Sequence, residues 1–155
     1  MTNLNSVLSG TGVALVTPFQ SNMDIDEAAL ARVIEHVIAG GVEYVVTLGT
    51  TGETPTLSRE EKIRIARFTV EVVGNRVPVV IGAGGSDTRE VIREIEKLPT
   101  EHAAAILSAS PYYSKPSQEG IYQHYKAIAD ASPKPVILYN AVSYTHLTLP
   151  TKRIV

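Results

Sequence analysis

The chain has 155 residues, of which 44% are hydrophobic and 19% charged, and its formal net charge is −2. Length and composition suit one globular domain with a real core, and the near-neutral balance gives no electrostatic case for nucleic acid or an anionic membrane. Cysteine is absent, which excludes disulfides, thiolate metal sites and a cysteine nucleophile within these residues.

Met1 to Gly10 is polar, without the basic and apolar regions of a secretory signal. No apolar run approaches the length of a membrane span. A cytoplasmic location is the expectation.

Val13-Ala14-Leu15-Val16, between Gly12 and Thr17-Pro18, reads as a first buried strand. Asp24 and Asp26 are candidate N-caps for a helix whose Leu30, Val33, Ile34, Val37 and Ile38 share one face, and Gly40-Gly41 ends it. A second strand covers about 43–48. It runs into Gly49-Thr50-Thr51-Gly52-Glu53, where two glycines allow close backbone approach and positive φ around two adjacent hydroxyls.

Ser58-Arg59-Glu60-Glu61 has the form of a capping box and opens a second helix, with Ile63, Ala66, Val70 and Val73 as its apolar stripe. Pro78-Val79-Val80-Ile81 is a third strand. Asp87 can cap a third helix carrying Val91, Ile92, Ile95 and Leu98. Ala103-Ala104-Ala105-Ile106-Leu107 reads as a fourth strand, despite alanine's weak preference for sheet. A loop from Ser108 to Ser117 precedes a fourth helix at about 117–131, with Ile121, Tyr125, Ile128 and Ala129 on its inner side. Pro135-Val136-Ile137-Leu138-Tyr139 is a fifth strand.

The pattern is βαβαβαβαβ, at the spacing of βαβ units of about 30 residues. Strands that are apolar throughout belong to a parallel sheet. An open doubly wound sheet and part of a (β/α)8 barrel both fit, and periodicity does not choose between them. A whole barrel takes about 250 residues.

In a parallel sheet every C-terminal strand end points to one side. Thr50 and Thr51 after strand two, Tyr112 and Tyr113 after strand four, and Tyr139-Asn140 after strand five can therefore converge. Hydroxyls that both donate and accept suit a proton relay. Connector, packing and interface roles fit the same residues equally well. Gly82-Ala83-Gly84-Gly85-Ser86-Asp87 lacks the spacing and lysine of a phosphate loop, and tight packing explains it better. His36, His102, His124 and His146 have no metal-ligand spacing, so no metal is assigned.

Four stretches carry a family resemblance: Gly12-Val13-Ala14-Leu15-Val16-Thr17-Pro18-Phe19, Leu48-Gly49-Thr50-Thr51-Gly52-Glu53, Ser110-Pro111-Tyr112-Tyr113-Ser114-Lys115-Pro116-Ser117-Gln118-Glu119-Gly120, and Leu138-Tyr139-Asn140. In order and spacing, from about residue 7 to 140, the chain resembles the dihydrodipicolinate synthase family of pyruvate-dependent class I aldolases. The double threonine and the tyrosine loop favour the synthase over related N-acetylneuraminate lyases and keto-deoxy sugar-acid aldolases.

The resemblance implies an α/β fold, a (β/α)8 TIM barrel of which about the first five strands are present. It implies condensation of pyruvate with L-aspartate 4-semialdehyde, in lysine and diaminopimelate biosynthesis, through a lysine Schiff base and without a cofactor. It gives Tyr139 the role of general acid/base and makes Thr50 the hydroxyl linking it to Tyr113. Tyr113 would be lent across the dimer interface of a homotetramer built as a dimer of dimers. Thr51 would bind the pyruvate carboxylate. Tyr112 and Glu90 match the family's inhibitor cleft, while Arg59 and Lys62 stand where some relatives carry other residues.

The chain departs from the family after residue 140. A Val-Pro-x-Arg-Thr-Gly pattern is expected there, and Ala141-Val142-Ser143-Tyr144-Thr145-His146 stands in its place, without the substrate-contacting arginine. No residue matches the Schiff-base lysine: Lys152 comes too soon and Lys134 precedes strand five. Residues 1–140 are therefore expected to be barrel and 141–155 a foreign tail, with no synthase activity in this chain alone.

Overall fold

A computed structural model describes residues 4–112 and 114–140. Tyr113, His146, Lys152 and the rest of 141–155 lie outside the described residues.

A short helix α1 (Leu4–Val7), which periodicity gave no sign of, precedes β1 (Gly12–Ala14). Then follow α2 (Glu27–Ala39), β2 (Tyr44–Thr47), α3 (Arg59–Val73), β3 (Val79–Gly82), α4 (Thr88–Ile95), β4 (Ala105–Ala109), α5 (Gln118–Ala131) and β5 (Val136–Tyr139). The helix starts are set locally, as the sequence suggested for all but α5, whose cap Ser117 it did not single out. Asp26 accepts from the Ala29 N–H, Asp87 from those of Arg89 and Glu90, and Ser117 from Gly120. Ser58 and Glu61 close a full capping box.

Two expectations shift. Strand four starts two residues late, because Thr100–His102 forms a 3-10 turn closed by Ala103, and pairing with β3 begins at Ala105↔Val80. On α5, Ala129 is exposed and His124 is buried in its place, so the inner stripe is Ile121, His124, Tyr125 and Ile128.

The five strands are all parallel and lie in the order β1-β2-β3-β4-β5. A doubly wound sheet reverses its order at a switch point and takes helices on both faces. Here Leu30 and Ile34 of α2, Ile65 and Val73 of α3, Val91 and Ile95 of α4 and Ile128 of α5 share one core with Val45, Val79, Ile81 and Ile106. The opposite face forms a separate cluster of Val46, Val80 and Ala105, packed by Tyr44, Leu107 and Ile137. Strand register explains the division, since Val45↔Val79 and Ile81↔Ile106 face the helices while Ala14↔Val46 and Leu107↔Ile137 face away. Sequential order with helices on one face is the winding of a barrel, here through its first five strands.

β1 and β5 have one strand neighbour each among the described residues. Val16 beyond β1 and Leu138 on β5 are exposed, at 46% and 50%.

Candidate functional site

The helix-free face of the sheet lines a cavity of about 540 Å³, to which all five strands contribute. Its floor is apolar or backbone, with Gly12, Ala14, Val46, Val80, Gly82, Leu107 and Ile137. Its mouth, at the C-terminal strand ends, carries Thr50, Thr51, Tyr112 and Tyr139. Three of the strand ends expected to converge therefore do so on one space. Asn140 is not among the lining residues.

The turn after β2 is built differently from the expectation. Neither Gly49 nor Gly52 takes positive φ. The left-handed residues are Leu48 (φ 56°) and Glu53 (φ 55°), which bracket the threonines from outside. A non-glycine residue there is strained, and such strain persists only where the surroundings enforce it. The enforcement is visible. The Leu48 carbonyl lies so close to Gly82 that a Cβ there would stand 2.0 Å from the oxygen, which is why β3 ends in glycine. Gly52 is buried, with Leu15 O and Thr17 Oγ1 each 3.3 Å from where its Cβ would be.

Thr50–Gly52 forms a 3-10 turn, and Gly49 before it supplies no side-chain cap. The first N–H groups of a helical turn have no partner within it. Among the described residues, the Thr50 and Thr51 hydroxyls also bond to no other side chain, and both residues are exposed to the cavity. The turn thus offers N–H and O–H donors at an open mouth, an arrangement suited to a carboxylate.

Tyr139 is 43% exposed and Tyr112 41%, so both phenols border the space. Ser110 ties these two strand ends together. Its N–H donates to the Tyr139 carbonyl (3.4 Å), and its hydroxyl shares a buried 2.7 Å hydrogen bond with Tyr125 of α5. The Tyr125 hydroxyl also donates to the Ser108 carbonyl. Ser86 Oγ donates to the Tyr112 carbonyl at 3.1 Å.

Sequence reasoning missed four contributors: Tyr44, Lys62, Ser110 and Thr17. Tyr44 was legible from strand alternation, since it shares the parity of Val46. Lys62 lines the cavity and pairs with Glu94 of α4 at 3.2 Å. Lys134, dismissed as a nucleophile, lies before β5 and donates to the Glu101 carbonyl, at the end of the sheet opposite the cavity mouth. Glu90 pairs with Arg59 and Arg93. In the glycine segment 82–85, Gly82 is buried against Leu48 and Gly84 lies close to the Ala109 N–H, while Gly82, Ala83 and the exposed Gly84 also border the cavity. Among the described residues, no group of three or more His, Asp or Glu is placed to hold a metal ion, and no helix is long and apolar enough to cross a membrane.

The sequence matches the profile of the dihydrodipicolinate synthetase family over residues 7–155. It is 52% identical over 136 residues to the 4-hydroxy-tetrahydrodipicolinate synthase of Flavobacterium psychrophilum, covering 88% of this chain and 46% of the relative. It is 48% identical over 142 residues to that of Parabacteroides distasonis, covering 92% and 48%. Among solved structures, the chloride-inhibited dihydrodipicolinate synthase of Acinetobacter baumannii complexed with pyruvate superposes with a TM-score of 0.83 at 42% identity, over 86% of this chain and 46% of that one. A dihydrodipicolinate synthase from Bacillus anthracis gives 0.80 at 45% identity, over 84% and 45%. The chain spans about half the length of the curated relatives it matches.

Proposed function

The chain belongs to the dihydrodipicolinate synthetase family, and from that premise we propose that residues 1–140 are the N-terminal portion of a 4-hydroxy-tetrahydrodipicolinate synthase. That lyase condenses pyruvate with L-aspartate 4-semialdehyde. The observation that carries the reading is the single cavity whose mouth brings together Thr50, Thr51 and Tyr139.

In this reading Thr51, with the N–H groups of the turn, holds the pyruvate carboxylate. A lysine outside residues 1–140 forms the Schiff base that makes the pyruvate methyl carbon nucleophilic. Tyr139 exchanges the protons of that adduct, and Thr50 links it to Tyr113. Tyr113 comes from the neighbouring subunit of a homotetramer, and the protein works in the cytoplasm. The boundary at residue 140 belongs to the same proposal. It rests on Ala141-Val142-Ser143-Tyr144-Thr145-His146 replacing the family pattern, although the family profile matches through residue 155. An intact frame encoding 141–155 at the source locus would remove that boundary.

A chimera tests the function. Residues 1–140 replace the matching segment of the Flavobacterium psychrophilum synthase, whose remaining half supplies the other strands. Synthase turnover is expected, and Tyr139→Phe or Thr50→Val should each cut kcat on the order of 10²-fold with little change in KM. A chimera that cleaves sugar acids but ignores aspartate semialdehyde, or one indifferent to Tyr139→Phe, contradicts the proposal.

A further inference from the structure

We propose that Thr17 is a positioning residue for the Thr50–Thr51 turn, its hydroxyl fixing the turn against the end of β1 so that both threonines face the cavity. The proposal rests on the reading of that turn as a carboxylate cradle.

The turn's other hydrogen bonds are internal. Gly52 N–H donates to the Gly49 carbonyl (2.9 Å), Glu53 N–H to Thr50 (3.1 Å) and Thr54 Oγ1 to Gly49 (3.2 Å). These hold its shape but do not say where it sits. Among the described residues, the side-chain hydrogen bond that ties it to another strand is Thr17 Oγ1 donating to the Gly52 carbonyl at 2.8 Å, across 35 residues of sequence. Both partners are buried, Thr17 at 6% exposure.

On the opposite flank, the Leu48 carbonyl rests against Gly82 of β3. The turn is thus clamped between the ends of β1 and β3, and each side constrains one of the two left-handed residues. β3 constrains by contact at Leu48 itself. Thr17 acts at Gly52, the residue before Glu53, and it acts through a hydroxyl. A valine would fill the same volume but leave the Gly52 carbonyl buried without a donor, which is costly. The left-handed backbone at Glu53 would then lose the contact that helps to enforce it. No group at the cavity mouth needs Thr17 for its own chemistry, since its hydroxyl is directed at the backbone of the turn.

The test uses the 155-residue chain with Thr17→Val, which removes the donor, and Thr17→Ser, which keeps it. Hydrogen exchange is followed by mass spectrometry in peptides covering 48–57 and in peptides of β4 and α5, with and without pyruvate. Without ligand, Thr17→Val should speed exchange at 48–57 about tenfold and leave β4 and α5 unchanged. Pyruvate should protect the same peptide with about tenfold weaker affinity in Thr17→Val, while Thr17→Ser stays within about twofold of the parent in both readings.

Parental exchange in Thr17→Val overturns the proposal, and so does faster exchange spread over every peptide, which marks general destabilisation. Undiminished pyruvate protection in Thr17→Val, or a Thr17→Ser variant that behaves like valine, overturns it too. Absence of pyruvate protection in the parent refutes the carboxylate reading, and with it the functional half of the proposal. The ligand-free rates separately decide whether Thr17 holds the turn.

Discussion

His124 lies on the inner face of α5 with Nδ1 2.8 Å from Thr88 Oγ1 on α4 and its ring edge-on to Tyr125. Its Nε2 is buried and has no hydrogen-bond partner among the described residues. Burial disfavours the imidazolium and lowers the pKa below the ordinary 6.5. In the window just below 6.5 the unfolded chain therefore binds more protons than the folded one, and stability falls as pH falls. Urea unfolding from pH 8 to pH 5 should show this loss, and His124→Gln should flatten it. An unchanged slope in the variant would show that other groups cause it. His124 also shows what single residues conceal. A helical histidine reads as solvated until the partner helix is in place, and only then does α4 turn it inward. The same holds for Leu48 and Glu53. Their left-handed backbone is imposed by β1 and β3, so nothing in Gly49-Thr50-Thr51-Gly52 announced it, and the adjacent glycines suggested the opposite.

Elements were legible where their signals are local. A cap acts within one turn, so Asp26, Ser58 and Asp87 could be read directly, and each side chain accepts from backbone N–H groups of the helix it was expected to open. Ser58 is the strongest case. Its own N–H donates to the Glu61 carboxylate at 2.7 Å, the main cause holding that carboxyl below its usual range. Ser58→Ala should destabilise the chain by about 1 kcal/mol in urea unfolding, and a variant within error of the parent would mean that α3 is set by packing alone. Placement that depends on partners is not encoded locally. The start of β4 was set by the 3-10 turn at Thr100–His102 and by register with Val80, neither of which an alanine run encodes. The buried stripe of α3 is Ile65, Ala66, Thr69 and Val73. Thr69 was not legible because its burial depends on Thr47 on the helix-facing side of β2, 3.2 Å away between hydroxyls.

At the scale of the molecule, periodicity found five strands and four of the helices but could not choose between an open sheet and a barrel. Strand order is a long-range property, and the parallel sequence β1 to β5 with helices on one face decided it. Ion pairs join successive helices: Arg64 to Glu27 and Arg76 to Glu35 between the α2 and α3 regions and Arg59 to Glu90 between α3 and α4 lie on the outside. The half-buried pair of Lys62 with Glu94 joins α3 to α4 beside the cavity. The exposed pairs contribute little each, and the regular placement of all four reflects the winding more than it causes it. The inner face is where winding becomes chemistry. It collects hydroxyls from strand ends that are far apart in sequence, so the site could be suspected from the sequence but not assembled from it. The central claim is that this collected mouth recognises a 2-oxo carboxylate. Its most direct measurement is hydrogen exchange of peptide 48–57 in excess pyruvate, for the parent chain and for Thr51→Val. The account predicts slower exchange in the parent and little or no effect of pyruvate in Thr51→Val; equal exchange with and without pyruvate in the parent, or full protection in Thr51→Val, would contradict it.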